Sequence, residues 1–410
     1  MKHSLVLHVT LLLAPLAASH AADNRPRLVD EGLYFDVPAS EVAYNVQIVR
    51  LDSGGYATVY HGEPKKSPGQ PGDAVKVAVQ PGRFTFQMPS DRRFAIQNDL
   101  HDPLSALYSA GPMWGGAGNP VVIKGQGSDR YFYVFFLALT DDDGDRAGED
   151  FRHQLCQART LDFRDFELRV QIAGRIEWKP YRPDVPAESK RPCPLRDANG
   201  ERICSRGPTG FAHTQGLIGS ICFHADRYHF FYTDRDTNGK TYLFHRTCLN
   251  LVSLQDDRTA WSSAARLSDA LPTGTVIRVA LARDQRRWAV LCNGYHEGPT
   301  GLRQDLFLYY TRDLTIHGAN GLAGIRWFER IVGEYGISTA FLGLRSGGGI
   351  FAQHDFLTDP RGVLTVPDVD DGRSPIGGLL TWADFSRGVY GGKVYWARWL
   401  GPIQTTTAAD

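Results

Sequence analysis

The sequence predicts an all-β fold, and two observations carry this prediction. Segments made of an apolar strand, a tight polar turn and a second strand rich in aromatics recur along the chain. Asp and Gly at the turns suit hairpins, while β-branched and aromatic residues suit the flanking strands. Helical periodicity is nearly absent, apart from one short turn expected around residues 326–332.

The composition is that of a large globular protein. The chain has 410 residues, of which 42% are hydrophobic and 22% charged, and its 45 Lys and Arg residues balance 45 Asp and Glu residues. A chain this apolar and this evenly charged is not disordered, and zero net charge argues against a nucleic-acid binder. Its length suffices to bury one or two cores without metals or disulfides. Composition does not choose between an enzyme and a binding module.

The N-terminus has the pattern of an export signal. Lys2 precedes an apolar stretch at residues 5–16, and Ser19-His20-Ala21 forms a small-x-small cleavage site. Because the apolar stretch is short and interrupted, a membrane-spanning helix is not expected. We expect removal of residues 1–21 as a signal peptide. The mature protein, residues 22–410, is then a secreted or periplasmic monomer without membrane contact.

Export permits disulfides, and the chain has six cysteines: Cys156, Cys193, Cys204, Cys222, Cys248 and Cys292. Cys193 and Cys204 bracket a polar loop, so a bridge that closes this loop is predicted. The sequence does not rank the remaining pairings. For Cys222 and Cys292 the alternative of buried strand thiols stays open. No zinc site is expected, because no Cys/His ligand spacing is present.

The recurring segments form a loose internal repeat. Hairpin units lie at residues 45–60, 120–136, 218–232 and 276–291, with a degenerate fifth at 338–352; third strands are predicted at 154–159, 241–246 and 305–310, and a fourth strand at 166–171. Units that bury a face only against their neighbours are typical of solenoids and propellers. Radial closure removes exposed edges, so we predict a single five-bladed β-propeller domain at residues 22–410, with the five units filling residues 28–400.

The alternative architecture is a two-sheet sandwich with a smaller β domain.

A surface insert is predicted near residues 180–212. The chain between Arg182 and Thr214 is rich in Pro, Arg, Lys, Asp and Gly, which is typical of a surface loop.

Polar residues that are distant in sequence are expected to converge in this fold. In a four-stranded blade, the loops from the second to the third strand and the blade-to-blade connections lie on one face. That face would collect residues 101–103, 114–118, 141–150, 213–215, 234–236 and 295–299. Carboxylates, His, Arg and aromatic rings are the groups that a carbohydrate site uses.

At these segments the chain resembles the five-bladed β-propeller glycoside hydrolases, which include arabinanases, β-xylosidases and fructosidases. The repeats at residues 128–136 and 225–234 are similar to their blades, and the resemblance covers about residues 40–360. It implies hydrolysis of a glycosidic bond in a polysaccharide or oligosaccharide by paired carboxylates. The family 43 pattern implies Asp102 as general base or nucleophile and Glu297 as general acid. The family 32 pattern implies Asp236 as transition-state stabiliser.

The chain also departs from that pattern. The entrances of the innermost strands hold Asn45 and Asn119 and no Asp, and Glu334 is a rival for the general acid. Each predicted carboxylate has a simpler role as a turn or surface residue. A second function therefore stays open, namely a non-catalytic propeller that binds glycan or protein, for example an exopolysaccharide accessory factor. Three convergent acids would favour the enzyme.

The remaining site residues are predicted to contact a carbohydrate. Trp114, in a Gly-rich loop, is a candidate stacking platform for a sugar ring. His213, Arg235 and His296 are candidates to line the central funnel of the predicted propeller. The run at residues 141–145 has oxygen donors suited to a structural Ca²⁺, but it lacks the EF-hand spacing and is predicted to be a solvated loop. No other cofactor is expected, and no Gly-x-Ser-x-Gly elbow is present. Zero net charge fits a neutral substrate.

Overall fold

The protein was analysed as a computed structural model. It describes residues 27–38, 41–64, 74–97, 114–140, 152–172, 175–181, 192–200, 203, 218–235, 238, 240–252, 261–271, 275–298, 301–316, 337–338, 354–367, 376–384 and 392–400. Every helix or strand within these ranges is a β-strand. The predicted all-β class is confirmed for this part of the chain, and the helical turn expected at residues 326–332 lies outside it.

The strands are β1 (Arg27–Asp36), β2 (Glu41–Arg50), β3 (Tyr56–Pro64), β4 (Ala74–Gln80), β5 (Arg93–Gln97), β6 (Trp114–Lys124), β7 (Phe132–Thr140), β8 (Arg152–Thr160), β9 (Phe166–Ile172), β10 (Arg175–Pro180), β11 (Ile218–His224), β12 (Arg227–Arg235), β13 (Thr241–Cys248), β14 (Ala265–Arg266), β15 (Ile277–Leu281), β16 (Trp288–Gly298), β17 (Gly301–Thr311), β18 (Ile337–Ser338), β19 (His354–Thr358), β20 (Ile376–Asp384) and β21 (Lys393–Leu400).

These strands form five antiparallel groups. Three are separate sheets, β6–β10, β11–β14 and β15–β18. An eight-stranded sheet, in the order β1-β21-β20-β19-β2-β3-β4-β5, contains the other two. Its middle pair, β19 and β2, is parallel, and this pair divides the sheet into β2–β5 and a group of β19–β21 with β1. Among the described strands, the first, β1, thus pairs with the last, β21.

The first strands of the five groups are neighbours in a continuous series. β2 contacts β6, β6 contacts β11, β11 contacts β15, β15 contacts β19, and β19 returns to β2. Five apolar clusters lie between successive groups in the same order. This arrangement is consistent with a β-propeller.

Burial on both faces explains the run of apolar residues in the strands. In β7, Phe132, Val134 and Phe136 pack toward the first group, while Tyr133 and Phe135 pack toward the third. Successive side chains of a strand point to opposite faces. A strand that has a neighbouring sheet on each face is therefore apolar at almost every position instead of at alternate positions.

One end of the first strands is covered by the chain that follows β19, residues 359–364, here called the closing segment. The backbone N–H groups of Lys124, Phe223 and Leu281, at or near the ends of β6, β11 and β15, donate to its carbonyl oxygens at 2.9, 2.8 and 3.2 Å. Leu364 N donates back to Leu281 O at 2.8 Å. The closing segment therefore satisfies backbone groups that would otherwise be exposed between the sheets.

Most of the predicted strands are confirmed. The four complete hairpin units correspond to the pairs β2–β3, β6–β7, β11–β12 and β15–β16, and the predicted third strands lie in β8, β13 and β17. Of the predicted fifth unit only Ser338 is described, and residues 339–352 lie outside the described residues. Ser338 lies in β18, at the edge of the fourth group, and the fifth group begins with β19. The polar His354 and Asp355 at the start of β19 hide it from an apolar pattern.

The segment predicted as a surface insert is partly described, and that part packs into the core. Cys193, Leu195, Asp197 and Ile203 are buried. Leu195 N donates to Leu155 O at 2.8 Å, so the segment hydrogen-bonds to β8. Polar residues dominate its sequence, but its described apolar residues turn inward, and the buried Asp197 is paired with Arg246 at 3.0 Å.

The five described cysteines, Cys156, Cys193, Cys222, Cys248 and Cys292, are buried and form no disulfide with one another. Burial raises the pKa of the Cys222 and Cys292 thiols, as expected for strand thiols inside a core. Cys204 lies outside the described residues, so its bridge to Cys193 stays a prediction. Residues 1–26 also lie outside them, and within the described ranges no helix is long and apolar enough to span a membrane.

Replacing Gly362 with Ala should destabilise the protein by about 2 to 4 kcal/mol, because the added methyl group is strained and overpacked. Gly362 has φ +77°, and an added Cβ would lie 2.5 Å from Ile221 O and 2.8 Å from Cys222 Cα. Urea unfolding followed by tryptophan fluorescence measures the change.

Gly127→Ala is the matched control for this variant. Gly127 also has a positive φ, +66°, but an added Cβ would meet nothing within 4 Å. It should cost only about 1 kcal/mol. Equal losses in the two variants would show that the closing segment is not tightly packed against β11.

Candidate functional site

Polar groups from the first strands of the five groups, β2, β6, β11, β15 and β19, meet at one level around the axis that these strands surround. We call this set the axial ring: Asn45, Asn119, Gly219, Arg278, His354 and Asp355. Polar groups in the middle of so much apolar structure must be paired with one another. The axial ring is the described feature that most clearly departs from simple core packing.

Arg278 is the centre of the ring. Its guanidinium is fully buried, and it donates from Nε to His354 O at 3.0 Å, from Nη1 to Gly219 O, and from Nη2 to Asn45 Oδ1 at 3.2 Å. One side chain on β15 thus connects to β19, β11 and β2. A guanidinium has five N–H donors in a fixed plane, and this geometry suits one residue to several partners.

Asp355 is the counter-ion of Arg278. Its Oδ2 lies 3.6 Å from Arg278 Nε, and its Oδ1 accepts from Phe356 N at 2.8 Å. Burial raises the pKa of Asp355 to about 6, against the opposing effects of Arg278 and the Phe356 N–H. Burial also lowers the pKa of Arg278, and Asp355 opposes that shift. At neutral pH the two residues form a buried ion pair.

Two asparagines complete the ring on β2 and β6. Asn45 and Asn119 both have φ 51°, and both sit at register shifts where their strands bulge against β3 and β7. Asn tolerates this left-handed conformation better than most residues. The Asn45 amide donates from Nδ2 to Asn119 Oδ1. A bulge re-aims a side chain, and here the two bulges bring the amides of neighbouring strands together.

A buried histidine supports Asn119 from the second strand of the first group. Asn119 N donates to His61 Nδ1 at 3.3 Å, so the opposite nitrogen, Nε2, carries the proton and donates to the Tyr44 hydroxyl at 2.9 Å. This tautomer is inferred from the hydrogen-bond partners. Gly118 makes room for the ring, because a Cβ there would lie 2.5 Å from His61 Cε1.

The two ends of the axis differ in what the structure describes. The closing segment covers the end where the first strands finish. Within the ring Asn119 keeps part of its surface exposed, whereas Asn45, Arg278 and His354 are fully buried. The other end is where the first strands begin. Residues 39–40, 98–113, 204–217, 272–274 and 339–353, which come before these strands in the sequence, are outside the described residues.

The predicted catalytic residues are only partly covered by the structure. Asp102, Asp236 and His213 lie outside the described residues. For Trp114, Arg235, His296 and Glu297 the backbone alone is described. Trp114 begins β6 and pairs with Thr140, while Arg235 ends β12 opposite Thr241. None of the four whose backbone is described belongs to the axial ring.

The position of Glu297 differs from the one expected. The sequence placed it in a loop, but its backbone lies in β16 and pairs with Leu302 of β17. Arg278 pairs with Leu291 of the same strand. At about 3.3 Å per residue, Glu297 is roughly 20 Å along β16 from the level of the ring. The β16–β17 hairpin therefore extends well beyond β15, away from the closing segment.

Sequence reasoning noted Asn45 and Asn119 but missed Arg278, Asp355, His354 and His61. A usable signal existed for Arg278, a charged residue in the middle of the apolar strand Ile277–Leu281. Asp355 had no such signal, because its strand was not recognised. Among the described residues no group of three His, Cys, Asp or Glu side chains is placed to hold a metal ion.

The chemistry of the ring is that of hydrogen bonding. It presents amide donors and acceptors, a guanidinium and one carboxylate. Hydrolysis of a glycosidic bond needs two carboxyl groups, about 5 to 10 Å apart. Within the described residues the ring supplies one, already paired with Arg278.

No family model matches the chain, and no curated protein matches it in sequence. Solved structures to which the chain is similar include a family 117 glycoside hydrolase of Zobellia galactanivorans, at 9% identity and a TM-score of 0.46, covering 91% of this chain and 90% of that one. A GH62 α-L-arabinofuranosidase of Coprinopsis cinerea is similar at 11% identity and a TM-score of 0.47, with 92% and 98% covered.

A third similar structure is the GH32 β-fructofuranosidase of Bombyx mori, at 10% identity and a TM-score of 0.41, covering 97% of this chain and 68% of that one. All three are glycoside hydrolases by their descriptions. At these identities and scores the similarity assigns neither a family nor a catalytic residue to this chain.

Replacing Asp355 with Asn should remove a pH dependence of stability between about pH 4 and pH 6. Because the pKa of Asp355 is raised to about 6 in the folded protein, the carboxyl takes up a proton there that the unfolded chain does not. Its contribution is fully present below about pH 4 and is lost as the pH rises through 6. The free energy of unfolding of the wild type, relative to the variant, should therefore be greater at pH 4 than at pH 7.

Urea unfolding of both proteins at several pH values makes this measurement. Asp165→Asn, at an exposed position in the β8–β9 turn, is the control and should show no such change. A relative stability that grows toward pH 7 would contradict the prediction, and would mean that the ion pair with Arg278 outweighs the cost of burial.

Proposed function

We propose that this protein is a five-bladed β-propeller that holds a neutral carbohydrate at one end of its axis, the end opposite the closing segment. The five antiparallel groups, the series of contacts between their first strands and the apolar cluster between each neighbouring pair support this architecture. The pairing of β1 with β21 supports it further, because it ties the two ends of the described chain into one group.

The axial ring is the observation that carries the proposal. Its Asn45 and Asn119 amides are held by bulges, by Arg278 and by His61, so their positions are set before any ligand arrives. Amides donate and accept hydrogen bonds at once, as sugar hydroxyls do. Asn119 is the ring amide that keeps exposed surface. Zero net charge supports a neutral ligand over a polyanion.

Recognition without cleavage is the version that the described residues support better. Asn45 and Asn119 cannot take up or release a proton near neutral pH, so they cannot replace a general acid or base. The single carboxylate of the ring, on Asp355, is buried and paired. With these groups, the axial ring would bind and orient a sugar.

Hydrolysis is the second candidate, and it depends on carboxylates beyond the ring. Glu297 would act as general acid, Asp102 as base or nucleophile, and Asp236 as stabiliser. The ends of β12 and β16 give this version support, because Arg235, next to Asp236, and Glu297 stand where second strands finish, at the end opposite the closing segment. Trp114, His213 and His296 would add stacking and hydrogen bonds to the bound sugar.

The proposal includes export. Cleavage of residues 1–21 would release a secreted or periplasmic monomer, with Cys193 and Cys204 joined by a disulfide. A structural Ca²⁺ at residues 141–145 is the alternative to a solvated loop there. Mass spectrometry of the mature protein, with and without reduction, tests both the cleavage site and the bridge.

Asn119→Ala should weaken carbohydrate binding by about 5- to 30-fold, since one or two hydrogen bonds to the ligand are lost. Isothermal titration of the intact protein with neutral arabino-, xylo- and fructo-oligosaccharides makes the measurement. Asn199→Ala, at an exposed position away from the axis, is the matched control and should bind as the wild type does. Equal affinities of wild type and Asn119→Ala would remove the axial ring from the binding site.

If the protein is a hydrolase, Glu297→Gln should abolish reducing-sugar release while carbohydrate binding persists, because the amide cannot protonate the leaving oxygen. The assay covers furanosides and pyranosides, with Asp102→Asn and Asp236→Asn as further variants. If the wild type releases reducing sugar and all three variants still do so, the catalytic roles proposed for these residues are refuted. Binding without release by the wild type would leave recognition as the function, and absence of both would refute the proposal.

A further inference from the structure

A second candidate binding site lies on the face that the closing segment covers. A cavity of about 440 Å³ opens where the β6–β7 turn, the β11–β12 turn and the chain after β13 meet. Phe223, in its wall, donates its backbone N–H to Arg361 O of the closing segment. The cavity is therefore at the end of the first strands that the closing segment covers, whereas the carbohydrate is proposed to bind at the opposite end.

The described lining carries charge of one sign. Asp129 and Asp226 contribute carboxylates, and among the described residues that line the cavity there is no Lys or Arg. Gln126 and Asn250 add neutral amides. A concave, partly desolvated surface with this charge repels anions and favours cations.

The lining is held in place before a ligand arrives. Asp129 Oδ1 accepts from Tyr131 N at 3.0 Å, and its Oδ2 accepts from the Tyr133 hydroxyl at 2.6 Å. The backbone of Gln126 hydrogen-bonds to the Tyr228 hydroxyl, and the Tyr228 ring packs edge-on against Phe223 at 4.9 Å between centroids. The walls from the second and third groups are thus fixed to each other, which lowers the entropy cost of binding.

The remaining wall is apolar. Phe223, Leu251 and Val252 line the cavity, and Leu249 at its edge is 57% exposed. Its volume lies in the range of small-molecule sites, about 300 to 1,000 Å³. A ligand that fits both walls has an apolar body and a positively charged end.

We propose that this cavity binds a small organic cation, with an ammonium group toward Asp129 and Asp226 and a hydrocarbon body against Phe223 and Leu249. The carboxylates supply charge-assisted acceptors for the N–H donors, and the apolar wall removes the hydrocarbon from water. Aromatic rings add attraction for a cation. The inference does not depend on the function of the axial ring.

Titration of the intact protein with cyclohexylammonium, followed by calorimetry, tests the proposal against cyclohexanol, a neutral probe of the same shape. We expect saturable binding of cyclohexylammonium and at least tenfold weaker binding of cyclohexanol. Asp226→Asn, in the exposed turn, should weaken cyclohexylammonium binding by about tenfold. Asp165→Asn, in the exposed β8–β9 turn, should leave it unchanged.

Three results would overturn the proposal: no saturable binding of cyclohexylammonium, equal binding of cyclohexanol, or an unchanged affinity in Asp226→Asn. Asn119→Ala separates this site from the axial one. It should bind cyclohexylammonium as the wild type does, whatever its effect on carbohydrate binding. A loss of cyclohexylammonium binding in Asn119→Ala would place the cation at the axis and would also overturn the proposal.

Discussion

The buried guanidinium of Arg278 is the constraint around which the centre of this protein is organised. An arginine keeps its charge at any physiological pH, and burial without partners would be prohibitively costly. The first strands around it therefore have to supply acceptors, which they do through Gly219 O, His354 O, Asn45 Oδ1 and the Asp355 carboxylate. These bonds fix the relative heights of β2, β11, β15 and β19, and so fix which residues share the axial ring.

Outside the ring, apolar packing on both faces of each sheet holds the groups together. Residues from neighbouring groups alternate in five clusters, so no group has a complete core of its own. Two further devices tie the series together, the pairing of β1 with β21 and the hydrogen bonds of the closing segment to three other groups. Stability is thus a property of the whole series of groups, as in other architectures built from units that share their cores.

The same construction separates the two faces chemically. In the axial ring the fixed groups are the amides of Asn45 and Asn119, which suit neutral hydroxyls. Asn45 is hydrogen-bonded to Arg278, and Asn119 is hydrogen-bonded to His61. On the covered face, the cavity beside Phe223 carries carboxylates and an apolar wall. The hydrogen bond from Phe223 to the closing segment links the covered end of the axis to this cavity. The two proposed sites therefore differ in the chemistry of the ligand that each would take.

The sequence by itself determined the all-β class and the positions of most hairpins, because these depend on local turn chemistry and strand propensity. The β11–β12 hairpin shows this well, since Ala225 and Asp226 make a two-residue turn between strands that pair residue for residue. It could not reveal β19, whose buried His354 and Asp355 mimic a polar loop.

Only the tertiary structure decided which residues form the axial ring. Arg278 lies 233 residues from Asn45 and 76 from His354 in the chain, and its contacts follow from how the groups pack. Glu297 illustrates the same limit. Glu297 was placed by a short motif, but the register of β16 puts it far along the strand from the ring. A motif records neighbours in sequence, whereas a site depends on distances that strand pairing and burial set.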